Sequence, residues 1–403
     1  MTDSIASCPN WLSGRLIDRK GPISFYEYMD WVLNDPEHGF YSTGRLQIGE
    51  KGDFCTSPSL TEDFGRLLAI QVVEWLIELE KTEKNTELFA LVEIGPGEGN
   101  LSRDLMKSLL EIAPNLISKV EFILVEPNLG MKKRQEKVVN IFEGVNFRWC
   151  TLEELTLNPV KGVVIANEVL DVFPVERLIF RNNKVHRQGV SLKQRSDGNF
   201  LEFVDLELTD EIREFLNNAE NILGINFPPK DIFGEWITEW HCDISNWFEK
   251  ISQILITGPL LIIDYALESR RYYSATRNCG TLLAYRNQKA NPNLLRDAGC
   301  WDLTSHICIE ATIFYAIKNG WRFIGETRQG QALLALGLSK LLYSIQELSK
   351  KNLSIALNRR ESLLRLVDPM GLGEFRWLVF QKVYSERSIL KCRSLKEPLT
   401  NTI

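Results

Sequence analysis

Leu91-Val92-Glu93-Ile94-Gly95-Pro96-Gly97-Glu98-Gly99-Asn100 is an apolar run that breaks into a glycine turn and then enters the helix-like pattern Leu101 to Glu111. A strand, glycine turn and helix in that order let a ligand touch bare backbone. A Cβ in the turn would collide with the ligand or forbid the dihedrals, and the free N–H groups of the helix attract anionic or hydroxyl-bearing groups. The spacing selects the ligand. A dinucleotide fingerprint runs G-x-G-x-x-G with an acid roughly 20 positions on, whereas here the third glycine comes one residue early and Asn100 follows it. The next acid to end an apolar strand is Glu126, in Phe122-Ile123-Leu124-Val125-Glu126-Pro127, farther along than that fingerprint expects. A compact turn without pyrophosphate room, followed by an acid able to accept both ribose hydroxyls, fits S-adenosylmethionine better than NAD. Gly95, Gly97, Gly99 and Glu126 are therefore expected at a cofactor; the plain alternative is an ordinary strand-to-helix turn.

Seven strand-like runs surround this motif: Phe89 to Ile94, Glu121 to Glu126, Asn146 to Cys150, Gly162 to Asn167, Pro259 to Tyr265, Trp321 to Thr327 and Phe375 to Lys382. Helical patterns separate the first five, as parallel strands joined by right-handed crossovers require. The last two alternate in character and suit an edge pair. The fold expected is α/β: a doubly wound, seven-stranded, Rossmann-like sheet of the class I methyltransferase type, with an N-terminal helical arm and a β-hairpin insertion after the fourth strand. In the arm, Ser24-Phe25-Tyr26-Glu27 reads as a capping box, with Phe25, Tyr28, Met29 and Val32 on one apolar face. A longer helix from Thr61 to Glu80 carries Phe64, Leu68, Val72, Trp75, Leu76 and Leu79 on one stripe. After the fourth strand, alternating runs separated by Asn182-Asn183 and Ser196-Asp197-Gly198-Asn199 read as hairpins and place a substrate cap beside the strand ends. The division expected is 1–85 for arm and lid helices, 86–175 with 250–385 for the core, 176–249 for the cap, and 386–403 for a tail.

With 403 residues the chain can bury a large core as one elaborated domain or two. A formal net charge of −6 supplies no global basic field for nucleic acid or an anionic membrane. The eight cysteines and four histidines are scattered, with no C-x-x-C pair and no metal-ligand spacing, so reduced thiols in a cytosol and no metal centre are expected. Met1 to Asn10 shows neither a signal nor a transit pattern, and no apolar run is long enough to span a bilayer. A bacterial cytosolic location is the expectation.

Val164-Ile165-Ala166-Asn167-Glu168-Val169-Leu170-Asp171-Val172-Phe173-Pro174-Val175 places an amide and two carboxylates where an apolar strand ends, on the edge facing the glycine loop. Glu168 and Asp171 are three apart, so a helical turn would aim both at one ligand. Two acids beside a sulfonium methyl donor suit a cationic nucleophile, because guanidinium presents forked donors that carboxylates hold in bidentate geometry. Arginine is a poor nucleophile while protonated, with a pKa above about 12, so its nitrogen must be oriented and its proton accepted. Carboxylates do both. The alternative is that Glu168 caps the next helix and Asp171 is a solvated turn residue. Gly49-Glu50-Lys51-Gly52-Asp53-Phe54-Cys55-Thr56-Ser57-Pro58 is either a lid over the cofactor or a loop that caps the Thr61 helix. Asp264-Tyr265, Arg286 and Asp302-Leu303-Thr304-Ser305-His306 complete the candidates, His306 for proton transfer or for orienting Glu168.

Taken in order, Gly21-Pro22-Ile23-Ser24, Gly39-Phe40-Tyr41, Gly52-Asp53-Phe54-Cys55-Thr56-Ser57-Pro58, Glu93-Ile94-Gly95-Pro96-Gly97, Ala166-Asn167-Glu168, Asp302-Leu303-Thr304-Ser305-His306 and Asp368-Pro369-Met370-Gly371 resemble the MidA/NDUFAF7 family of class I methyltransferases over nearly the whole length. The resemblance implies an S-adenosylmethionine-dependent protein-arginine methyltransferase, in mitochondria one that symmetrically dimethylates a subunit of respiratory complex I during assembly. It implies that the arm contributes to the cofactor site, with Thr56, Ser57, Pro58, Glu93 and Asn167 joining the glycines and Glu126. Where the family commonly has Thr-Ser-Pro-Glu this chain has Ser59, and where it commonly has Tyr-Arg-x-His this chain has Gln288. Two other functions stay open: a non-catalytic assembly chaperone on the same fold, and a small-molecule methyltransferase.

Overall fold

The computed structural model describes residues 5–44, 46, 48–49, 52–53, 55–139, 145–382 and 390–397. Glu50, Lys51 and Phe54 of the expected lid, and residues 386–389 and 398–403 of the expected tail, lie outside the described residues. The central sheet contains β1 (Phe89–Ile94), β2 (Val120–Val125), β3 (Asn146–Cys150), β4 (Val160–Asn167), β5 (Leu255–Asp264), β6 (Arg322–Arg328) and β7 (Arg376–Lys382). Their spatial order is β6-β7-β5-β4-β1-β2-β3. The first five strands are parallel, and β7 runs antiparallel between β5 and β6.

The near-continuous apolar sequence of the central strands follows from covering both faces. Ala90, Val92 and Ile94 of β1 enter one core, and Phe89 and Leu91 enter the other. The helices that matter to the site are α1 (Phe25–Asn34), α2 (Ser57–Leu60), α3 (Glu62–Thr82), α4 (Asn100–Ile112) and α5 (Leu129–Val139). The stripe of α3 is buried on the Phe89 face, together with α4. Helices Asp210–Leu223, Ile244–Ile254 and Ile309–Lys318 cover the opposite face. Sequence order reverses between β1 and β4, and the crevice at such a reversal, outside the carboxyl ends of the strands, is where open α/β sheets bind ligands.

A second, six-stranded sheet is built from Glu176–Arg181, Lys184–Arg195, Gly198–Leu206 and Trp236–Trp240, joined by two short strands of the arm. Ala6–Ser7 pairs with Phe200 and Leu201, and Ile23–Ser24 pairs with Gly189 and Val190. Asn182 and Asn183 both take positive φ, 50° and 57°, which a tight hairpin with right-handed strand twist demands. The first half of the arm and the 176–249 insertion share one sheet and one core, in which Phe25, Tyr28, Met29 and Val32 of α1 meet Val190 and Leu201. The Ser24 hydroxyl accepts the Glu27 N–H at 3.0 Å and starts α1.

The rest of the arm, α2 and α3, belongs with the central sheet. So does the described part of the tail: Leu390 and Cys392 are buried, and the Trp75 indole N–H donates to the Lys391 carbonyl at 3.1 Å. All eight cysteines are free thiols. No described helix is long and apolar enough to cross a membrane.

Candidate active site

The chain leaves β4 through a sharp bend, not the helical turn that the spacing of Glu168 and Asp171 suggests. Glu168 sits at φ 55°, in the left-handed region. One carboxylate from the neighbouring strand holds the bend: Asp264 Oδ2 accepts the backbone N–H groups of Val169, Leu170 and Asp171 at 3.3, 2.9 and 3.3 Å. Asp264 Oδ1 accepts the N–H of Tyr265 at 2.8 Å. A non-glycine residue in the left-handed region costs roughly 1–3 kcal/mol and persists only where the surroundings over-determine it, a pattern concentrated at functional sites. Asp264 supplies that determination.

Glu168 and Asp171 line one cavity of about 300 Å³, shared with Tyr41, Tyr265, Tyr285, Gln288, Asp302, Ser305 and His306. Two larger, more open hollows near Pro229 and Lys230, one of them shared with Arg270 and Tyr273, bring together no comparable set of acids. Asp302 accepts the Tyr41 hydroxyl at 2.8 Å. Asp171 is 4% exposed and its Oδ1 has no hydrogen-bond partner. No described Lys or Arg lines the cavity. Burial, reinforced by neighbouring Asp264, pushes Glu168 up to about 8. Burial likewise lifts Asp302 and Asp264 to about 7 and Asp171 well above its ordinary range.

His306 lies in the cavity wall, its ring 5.7 Å from that of Tyr265, and burial lowers its pKa to about 4, so the ring is neutral. The histidine that makes a side-chain hydrogen bond here is His241, whose Nε2 is 2.9 Å from Ser305 Oγ. Nothing local in the sequence marks His241. Tyr41 was visible only as the last residue of the Gly39-Phe40-Tyr41 segment.

On the other side of the bend, the glycine loop holds Gly95, Gly97 and Gly99 at φ 62°, 52° and 84°. A Cβ on Gly97 would stand 3.0 Å from Ile48 Cδ1, so the arm closes on the loop. Glu93 lies beneath the loop, buried, and accepts the Ser102 hydroxyl of α4; burial pushes it up to about 8. Glu126 ends β2 with Oε1 accepting the Asn128 N–H at 2.8 Å and Oε2 accepting Gln135 Nε2 at 2.9 Å. Gln135 also donates to the Gly97 carbonyl at 2.8 Å, tying that acid to the loop. Asn167, at the end of β4, keeps a buried Oδ1 with no partner. A positive-φ cradle, an acid at the end of the next strand and an orphaned amide oxygen between them fit S-adenosylmethionine.

Thr56, Ser57 and Pro58, expected at the cofactor, stand at the start of α2. The Thr56 hydroxyl caps α2, and Ser59 returns the bond to the Thr56 N–H, so the serine found here completes the capping box. The Ser57 hydroxyl is buried against Gln329. What reaches the site is the Ser57 N–H, which donates to the Glu168 carboxylate. The segment thus positions the acid. Gln288 lines the cavity, and its backbone N–H donates to the Asp53 carbonyl at 2.7 Å.

Glu93, Glu168, Asp264 and Asp302 bind protons in the folded chain at pH values where the unfolded chain has released them. Their folded pKa values are raised, so their contribution to stability is present at low pH and lost as pH rises from about 4 through 8. The melting temperature of the ligand-free protein should therefore fall between pH 5.5 and 8 (both approximate, set by the same linkage), and Glu93→Gln should flatten the fall. A melting temperature that rises over this window, equally in wild type and variant, would refute the assignment of neutral buried acids.

A family model described as "Putative S-adenosyl-L-methionine-dependent methyltransferase" matches residues 67–327, more than half of the chain. The mitochondrial protein arginine methyltransferase NDUFAF7 homolog of Caenorhabditis elegans is 26% identical, over 93% of this chain and 87% of its own length. NDUFAF7 of Rattus norvegicus is 31% identical over 40% of each chain. A Burkholderia thailandensis structure, solved bound to S-adenosyl-homocysteine, superposes with a TM-score of 0.79 at 24% identity, covering 98% of this chain and 95% of that one; it speaks for the fold. With the cofactor cradle and the bend after β4 in place, the chain belongs to the MidA/NDUFAF7 family of S-adenosylmethionine-dependent methyltransferases.

Proposed function

We propose that this protein is a protein-arginine N-methyltransferase whose substrate is a subunit of respiratory complex I type or its bacterial counterpart, acting in the cytosol. One observation carries the arginine reading: Glu168, Asp171 and Asp302 converge on one cavity that no described Lys or Arg enters. Such a cavity is built to receive a cation from outside. A lone buried carboxylate is costly, and an arriving guanidinium relieves that cost by pairing with several at once. The tyrosines Tyr41, Tyr265 and Tyr285 supply aromatic faces on which a planar cation stacks.

S-adenosylmethionine supplies an electrophilic methyl group on a sulfonium. The chain's own residues do the rest. Glu168 and Asp171 hold the guanidinium so that one nitrogen faces the cofactor side of the bend. As that nitrogen forms its new bond to carbon it must lose a proton, and Glu168, which the paired guanidinium drives into its ionised form, is suited to take it. Its position is fixed by Asp264 through the bend and by the Ser57 N–H. We assign the substrate-facing lobe to the arm and the insertion, because Tyr41 enters the cavity from that side.

The test is transfer of labelled methyl from S-adenosylmethionine into proteins of a deletion-strain extract, followed by mass spectrometry. Label on arginine nitrogens, absent without the enzyme, is expected. Label confined to small molecules, or cofactor binding without transfer, would replace this reading with the small-molecule enzyme or the chaperone.

A further inference from the structure

The cofactor side and the acidic cavity are joined by a short chain of hydrogen bonds that neither site requires for its own construction. The Asn128 N–H donates to Glu126 at 2.8 Å. The Asn128 side chain does two further things: its Oδ1 caps α5 by accepting from Gly130 and Met131 at 2.8 and 3.1 Å, and its Nδ2 donates to the carbonyls of Tyr41 and Ser42 at 3.4 and 3.1 Å. The Tyr41 hydroxyl then donates to Asp302 in the cavity. One turn further along α5, Arg134 pairs with Glu98 of the glycine loop and donates to the Leu46 carbonyl at 3.1 Å. The same stretch of arm is thus held by the cofactor loop and reaches into the acidic cavity.

We infer that Asn128 is a positioning residue that couples the two sites: by holding Tyr41 and Ser42 it makes the cavity take a guanidinium more tightly once the cofactor is bound. The inference rests on the reading of Glu126 as the ribose acceptor and of the cavity as the guanidinium site. Ribose hydroxyls donating to Glu126 favour its ionised form, which strengthens the bond from the Asn128 N–H and fixes the residue that carries the arm. A fixed arm holds the Tyr41 hydroxyl on Asp302 and spares the guanidinium the entropy of ordering it. Linkage makes the effect reciprocal, so a guanidinium in the cavity tightens the cofactor by the same factor.

Calorimetric titration of N-ethylguanidinium into the full chain, with and without saturating S-adenosylhomocysteine, measures the coupling directly. In the wild type the cofactor product should tighten N-ethylguanidinium by about fivefold or more. Asn128→Ser keeps a capping oxygen for α5 but loses the donor to the arm. That variant should bind S-adenosylhomocysteine within roughly threefold of wild type while the coupling falls to within about twofold of none. Tyr41→Phe, which leaves the α5 cap untouched, should lose the coupling as well. Simple loosening of the fold would weaken both ligands and leave the ratio intact. Equal coupling in wild type and both variants, or none in the wild type, overturns the inference alone. If S-adenosylhomocysteine does not bind, the cofactor reading fails and the inference with it; if it binds and N-ethylguanidinium does not, the guanidinium reading fails and the inference falls with that.

Discussion

Glu168→Gln should lower turnover by about 10²- to 10⁴-fold, the range expected when a positioned proton acceptor is removed, while S-adenosylhomocysteine affinity changes by less than about threefold. The amide keeps the shape and can still accept the Ser57 N–H, but it carries no charge and takes no proton. The loss therefore falls on an interaction that matters most as the arginine nitrogen sheds its proton, which lowers kcat and kcat/KM together. Asp171→Asn should act in the same direction and more weakly, because Asp171 is buried with one oxygen unpartnered and, on the proposed function, holds the cation before any proton moves. Single-turnover methyl transfer to an arginine-bearing protein, with cofactor binding measured in parallel, is the experiment. Full transfer by Glu168→Gln would make the carboxylate structural and remove the arginine mechanism.

Gly97→Val should abolish measurable cofactor binding in a protein that still folds. At φ 52° a β-branched residue is strained by roughly 1–2 kcal/mol or more. The added Cβ meets Ile48 Cδ1 at 3.0 Å, so the arm or the loop must move. Movement of the loop also disturbs the Gly97 carbonyl that accepts Gln135, and through Gln135 the orientation of Glu126. Calorimetry with S-adenosylhomocysteine and a far-ultraviolet spectrum separate the outcomes. Unchanged affinity in a folded variant would take the cofactor away from this turn.

The parts of the site that could be read in the sequence are those fixed by neighbours along the chain. Gly95 to Gly99 declare a turn because only glycine tolerates those dihedrals beside a ligand, and the near-continuous apolar run of β1 declares a strand covered on both faces. Asn167, Glu168 and Asp171 follow because they sit where such a strand ends. What could not be read depends on residues far apart. The bend is held by Asp264, whose three N–H partners in it lie 93 to 95 positions earlier. The hydroxyls of Thr56 and Ser57 look free in a polar loop, yet one closes a capping box and the other is buried on Gln329. Ala6–Ser7 and Ile23–Ser24 are two residues each, too short for any alternation to show, so the sheet they complete with the insertion left no periodic trace.

That shared sheet also sets an order of events on the ribosome. The strands that pair with the arm are centred on Gly189, Val190, Phe200 and Leu201, more than 150 positions after α1 ends at Asn34. At typical rates of synthesis the arm waits on the order of ten seconds or more for its partners. During that interval Phe25, Tyr28, Met29 and Val32 have only neighbours in the arm, such as Leu12, Leu16 and Phe40, to pack against. Contacts so distant in sequence form slowly, and apolar surface left open in the meantime is what makes large nascent chains prone to aggregate. A chain stopped before Glu176 therefore carries a finished apolar helix face with no sheet to cover it.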